Sequence, residues 1–173
     1  MKLTQTLSDA FDAQITLEFA ASLVYRQLAI AMGARDLPGM ASWLRAQADE
    51  EVVHANKFID HVVDRGGHPC IGTIQAPQVA PDATPSQVFA AALAHEEKVS
   101  ASIRQLYRTA DAEGDLDSRP LLNWFLEEQI EEESTVGEIV SQLKLIGDDG
   151  NGLLRLDADL GGRQSGGTEP AGV

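Results

Sequence analysis

Apolar residues recur along this chain at helical spacing over four long stretches, and in each stretch one glutamate falls on the apolar stripe. At a seven-residue step the first stretch reads Phe11, Glu18, Tyr25, Met32, and the second reads Leu44, Glu51, Phe58. The third reads Phe89, Glu96, Ile103, and the fourth reads Phe125, Glu132, Ile139, Ile146. A parallel stripe of the fourth stretch, Leu122, Gln129, Val136, Leu143, is interrupted by an amide. Each stripe predicts a helix with a polar group turned into the core. Isolated ionised carboxylates are not stable in a low-dielectric interior. The pattern therefore predicts that something positive binds them together, most simply a pair of metal ions.

The breaks between stretches set the topology. The first helix is predicted from Thr4 to Gly33, with the turn at Gly33 and Asp36–Gly39. Pro38 fits the first turn of a second helix, which runs to Arg65 and stops at Gly66 and Gly67. Residues 67–84 are rich in Pro and Gly and read as a connector, which extended would reach roughly 60 Å. The second helix would be only about 42 Å long. The connector can cross the whole bundle, leaving the second and third helices parallel, with Ile71, Ile74 and Val79 expected to pin it down. Thr84, Pro85 and Gln87 form a capping-box signature for a third helix ending near Glu113 and Gly114. The fourth helix is expected from about Ser118 to Gly147. A turn over 147–152 then precedes a short amphipathic fifth helix, Leu153–Leu160. Residues 1–161 make one all-α domain, a four-helix bundle with one long crossover, and 162–173 a Gly-rich tail expected to be disordered.

Composition narrows the class of function. A formal net charge of −14 argues against nucleic acid or an anionic membrane as partner and fits a protein that attracts cations. The single cysteine, Cys70, supports no disulfide framework and suggests a reducing compartment. Nothing resembles a secretory leader or a membrane span, so a cytoplasmic location is expected.

The intruding residues form recognisable ligand pairs. Glu51 and His54 lie three apart on one helical face and can address one metal; Gln129 and Glu132 repeat the spacing. Glu18 and Glu96 add one carboxylate each. Four carboxylates, an imidazole and an amide oxygen are hard donors that favour Fe, Mn or Mg. Thiolate zinc sites are excluded by the cysteine count. Glu51 is the natural bridge. His61 and His68 are expected at the surface, His95 is expected to point away from the site, and Trp43 and Trp124 read as packing anchors.

Several segments resemble the bacterial non-haem ferritins. They are Leu17-Glu18-Phe19 with Tyr25; Glu50 and Glu51 with His54; His95 with Glu96; and the run from Trp124 to Glu133. The resemblance covers nearly the whole chain and implies a ferritin-like bundle. It implies Glu18, Glu51 and His54 on one iron, and Glu51, Glu96 and Glu132 on a second with Gln129 beside it. Tyr25 would stand next to this centre, and Glu50, Glu128 and Glu131 would form a third iron position towards a cavity. The implied activity is oxidation of Fe(II) by dioxygen at two irons per subunit, with storage of ferric mineral in a homo-oligomeric cage of twenty-four chains. No haem is expected, because Val52 and Val53 stand where bacterioferritins carry the haem-ligating Met. Rubrerythrins need paired cysteines that this chain lacks. Asp115 and Asp117 are inlet acids by position only. Two other readings stay open: a non-storage di-iron or di-manganese redox enzyme, and a metal-free helical interaction protein.

Overall fold

The computed structural model describes residues 2–162 as five helices: α1 (Gln5–Gly33), α2 (Pro38–Asp64), α3 (Pro85–Ala112), α4 (Arg119–Ile146) and α5 (Gly150–Gly161). The expected tail lies outside these residues, save for Gly162. Local chemistry fixes the boundaries. Thr4 caps α1 through Leu7 N at 3.3 Å, and Thr84 with Gln87 closes a capping box on α3. Gly147, at φ 55°, ends α4 in a conformation other side chains resist. Helix α5 begins three residues earlier than the amphipathic pattern indicates, because Asp149 caps it by accepting from Asn151 N at 3.0 Å.

Cross-helix contacts give the topology. Ser22 of α1 donates to the Ala48 carbonyl of α2, while Phe11 packs on Phe58, so the two helices run antiparallel. Gln14 meets Ser102 and Tyr25 meets Glu96, so α1 and α3 are antiparallel too. Helices α2 and α3 are therefore parallel, and residues 65–84 cross the length of the bundle. Ile74 and Val79 of this crossover are half-buried, but Ile71 is exposed. Two hydrogen bonds anchor it there instead: Cys70 N–H to Asp12 Oδ1 at 3.0 Å and Gly72 N–H to Thr16 Oγ1 at 2.8 Å.

Helix α2 has no side-chain cap of its own. Its Met40 N–H donates to the buried carboxylate of Asp157, on α5, at 2.8 Å. A negative group at a helix N-terminus is doubly favourable, satisfying a free N–H and the helix dipole. Gly39 makes the approach possible, since a Cβ there would lie 1.7 Å from the Asp157 carbonyl oxygen.

The core is divided. One cluster, including Leu7, Phe11, Ile15, Phe58, Ile103 and Phe125, fills one end of the bundle. A second, including Leu28, Met32, Met40, Leu44, Phe89 and Ile139, fills the other. Along every long helix the apolar residues switch from one cluster to the other across a short polar gap. Helix α1 is apolar enough over 18 residues to pass as a membrane span by length and composition, yet half of that window is buried inside the bundle.

Candidate metal centre

The polar gap holds the five residues picked out by the stripes, together with His54, picked out by its spacing from Glu51. Glu18, Glu51, Glu96 and Glu132 are at most 5% exposed, and His54 and Gln129 are equally enclosed. Each comes from the middle of its helix: Glu18 from α1, Glu51 and His54 from α2, Glu96 from α3, and Gln129 and Glu132 from α4. Seven-residue spacing keeps these groups on the inward stripe, and the two apolar clusters seal the layer from both ends.

Glu18, Glu51 and His54 present ligand atoms within 4.8 Å of one another. His54 Nδ1 lies 3.4 Å from Glu51 Oε2, and its ring is held edge-on against Trp124 and Phe125, with centroids 5.7 and 5.5 Å away. On the other side of the layer Tyr25 donates a hydrogen bond to Glu96 Oε1. Gln129 Nε2 donates to Glu96 Oε2 at 3.2 Å and to Ser100 Oγ at 3.1 Å.

Four residues of the layer's surroundings went unread in the sequence. Gln14 Nε2 donates to Glu18 Oε1 at 2.7 Å, and Gln47 Nε2 donates to Glu132 Oε2 at 2.8 Å. Ser102 donates to Gln14 at 2.6 Å, and Ser100 contacts Gln129. A signal was present: Gln14 precedes Glu18 by one turn, and Ser100 follows Glu96 by one turn.

Electrostatics make the layer a cation trap. Burial raises the Glu18 and Glu51 carboxyls well above the usual range, reinforced by the charge of Glu51 on Glu18 and of Glu96 and Glu132 on Glu51. Burial likewise raises Glu96, and with the charges of Glu96 and Glu50 pushes Glu132 to about 8. Burial also holds Tyr25 protonated, well above its ordinary value, so it acts as a hydrogen-bond donor. Glu18 Oε2 is buried with no hydrogen-bond partner. Such an orphaned oxygen, beside an imidazole and the Glu51 carboxylate, fits a divalent or trivalent cation of the hard, oxygen-preferring kind.

Glu50, His54 and Glu128 form a second group within 4.8 Å. Glu50 and Glu128 are half-buried, and burial raises Glu128. Glu131, expected here, is exposed and outside that group, and His54 takes part instead. The Lys57 ammonium sits 4.7 Å over the half-buried Trp124 ring beside this position.

Outside the layer, one residue is more enclosed than expected and one reading is corrected. His61 is half-buried, packing against Phe11 at 5.4 Å with Nε2 2.8 Å from Ser118 Oγ. Asp115 is no free inlet acid. It is buried, and both its oxygens accept from Arg65, at 2.6 and 2.7 Å; Asp117 remains exposed. His95 lies in neither metal group, and burial with the nearby Lys98 lowers it to about 4.

Comparison with known proteins bears on this geometry. The model of the Ferritin-like domain family matches residues 8–146. The chain is 34% identical over 161 residues to a bacterial non-heme ferritin of Staphylococcus epidermidis, covering 93% of this chain and 96% of that one. It is 30% identical over 158 residues to a bacterial non-heme ferritin of Escherichia coli O157:H7, covering 91% and 95%. A solved open-pore ferritin from the archaeon Archaeoglobus fulgidus superposes with a TM-score of 0.91 at 33% identity, over 94% of this chain and 100% of that one.

Proposed function

We propose that this chain, which belongs to the ferritin family and serves iron storage, oxidises Fe(II) with dioxygen in the polar layer of its bundle. The observation that carries the oxidation chemistry is the buried Glu18–Glu51–His54 group with its orphaned carboxylate oxygen. Glu18, Glu51 and His54 would hold one Fe(II). Glu51, Glu96 and Glu132 would hold a second, with Gln129 alongside and Glu51 shared. Two Fe(II) ions, giving one electron each, would become Fe(III) and reduce one dioxygen by two electrons to hydrogen peroxide, with uptake of two protons.

The protein's own contribution is electrostatic and positional. Carboxylates that are costly to ionise in the empty layer are repaid when cations enter, and anionic donors favour the higher-charged Fe(III) over Fe(II). Tyr25 and Gln129 hold both oxygens of Glu96, and Gln47 holds one oxygen of Glu132, so these ligands are oriented before metal arrives. Glu50, Glu128 and the exposed Glu131 are the acidic residues next along α2 and α4, and they offer the ferric product a path out of the layer towards a storage cavity.

Storage calls for many copies. Leu23 and Ile30, seven residues apart on the outer stripe of α1, are 46% and 60% exposed, which supports burial against another subunit. With its ferritin relatives, this supports a homo-oligomer, which in our reading is a cage of twenty-four chains in the cytoplasm. The test is aerobic addition of Fe(II) to the metal-free protein, followed by size-exclusion chromatography with iron analysis. Rapid oxidation and a large, soluble, iron-loaded particle are expected. Precipitation of iron at the uncatalysed rate contradicts the assignment. Fast oxidation by a small particle that retains no iron would instead support a non-storage redox enzyme.

A further inference from the structure

The two oxygens of Glu18 are treated differently. Oε1 accepts from Gln14 Nε2 at 2.7 Å, whereas Oε2 is buried and accepts nothing. Gln14 is itself only 1% exposed, in the middle of α1, where a carboxamide without partners on both ends would be destabilising. Its second partner comes from another helix: the half-buried Ser102 of α3 donates its hydroxyl to Gln14 Oε1 at 2.6 Å.

Together these contacts define a chain of hydrogen bonds with one direction. The two ends of a carboxamide have nearly the same shape, so what each end meets decides its orientation. A metal-bound, ionised Glu18 can only accept, and therefore needs the Gln14 NH2 group. The Gln14 oxygen must then face a donor, and Ser102 supplies it. Reversing the amide would set its oxygen against a carboxylate oxygen, a repulsive contact in a layer closed to water. The chain runs from Ser102 O–H to Gln14 oxygen and from Gln14 N–H to Glu18 Oε1, and leaves Oε2 as the Glu18 oxygen that no N–H or O–H donor holds.

We propose that Gln14 and Ser102 are positioning residues that make Glu18 a one-oxygen ligand of the Glu18–Glu51–His54 metal. This deepens the metal-centre reading and rests on it. The same device recurs elsewhere in the layer, where Gln47 occupies one oxygen of Glu132. Neutral donors suit this role because they orient a carboxylate without cancelling the charge that attracts the cation. A Lys or Arg in the place of Gln14 would orient Glu18 equally well but would compete with the metal. Holding Oε1 towards Gln14 also turns Oε2 towards the metal and disfavours an approach of both oxygens to a single ion. Two-oxygen donation is common for Ca(II), which takes six to eight oxygen ligands, so the restriction favours smaller first-row cations.

The test is anaerobic titration of the metal-free protein with Co(II), followed by its visible absorption and by calorimetry. Ser102→Ala, Ser102→Thr and Gln14→Leu are compared with the unaltered chain. Loss of an outer hydrogen-bond partner of a metal ligand weakens binding by about 10–100-fold. Co(II) binding at the first position should weaken by that factor in Gln14→Leu and about tenfold in Ser102→Ala. Ser102→Thr, which keeps the hydroxyl, should restore affinity and the original absorption bands. If Gln14→Leu does not fold, Ser102→Ala and Ser102→Thr still decide the matter at a half-buried position. Unchanged affinity in Ser102→Ala, or equal weakening in Ala and Thr, overturns the inference while leaving the metal centre standing. Failure of the unaltered chain to bind Co(II) removes the metal centre itself, and the inference with it.

Discussion

Replacing Glu132 with Gln should stabilise the metal-free protein at pH 8 and do almost nothing near pH 4. Glu132 is 5% exposed, faces the charges of Glu96 and Glu50, and is relieved only partly by the Gln47 amide and by His54. Its carboxyl is therefore raised, from an ordinary 4.5 to about 8. A raised carboxyl stabilises the fold while protonated. That contribution is fully present below about 4.5 and is lost progressively as pH climbs through about 8. At about 1.4 kcal/mol per pH unit the whole span is worth about 5 kcal/mol, an upper bound because the layer can relax. Gln has the shape of the protonated acid and keeps an oxygen for Gln47, but it never ionises. The variant should therefore gain on the unaltered chain steadily above pH 5 and level off above about pH 8. Urea unfolding of both proteins across pH 5–9 measures this, with metal removed and chain concentration fixed because assembly enters the same equilibrium. A stability difference that does not change with pH would refute the reasoning. With Zn(II) present the order should reverse, because the ionised Glu132 becomes a ligand and a ligand that binds only the folded state stabilises it.

Three further outcomes are expected. Arg65→Ala should cost about 3–5 kcal/mol in denaturant unfolding, because it leaves the buried Asp115 carboxylate unpaired; a cost below 1 kcal/mol would contradict that pairing. Burial alone would raise Asp115, but the Arg65 and Ser118 hydrogen bonds outweigh it and lower the carboxyl, so its share of stability is lost as pH falls below the ordinary carboxylate range. Gly39→Ala places a methyl group 1.7 Å from the Asp157 carbonyl oxygen, so limited proteolysis should cut α5 several-fold faster, and unchanged resistance would show that α5 docks by other contacts. Glu51→Ala should slow aerobic Fe(II) oxidation more than Ala at Glu18, Glu96 or Glu132, because a shared ligand serves both ions; stopped-flow absorbance compares the four, and an unaltered rate removes the bridging role.

Helix boundaries were legible where the punctuation is local: Thr4, Thr84 with Gln87, and Gly147 act on neighbours in sequence. The intruding carboxylates were legible for a related reason, since a charged residue on an apolar stripe conflicts with its surroundings within one helix. Their placement in one layer follows from where each apolar stripe is interrupted. What the sequence did not disclose depends on other helices. Asp157 caps α2 from α5, a partnership separated by more than a hundred residues. Asp115 looks like an exposed acid until Arg65 is seen against it, and His61 reads as a free surface residue until Phe11 and Ser118 are seen to half-bury it. Gln14 and Gln47 are unremarkable as helical glutamines; only the packed bundle shows which carboxylate each one holds. Ile71 misled because apolar character in a crossover does not say which side of the strand-like segment faces inward, and backbone hydrogen bonds at Cys70 and Gly72 hold the segment instead.

Crystals of the metal-free protein soaked anaerobically in Fe(II), with diffraction collected on both sides of the iron absorption edge, test the central claim most directly. Two anomalous peaks are predicted inside each subunit, one among Glu18, Glu51 and His54 and one among Glu51, Glu96 and Glu132. Iron bound only at exposed acids such as Glu131, with nothing between the two apolar clusters, would contradict it.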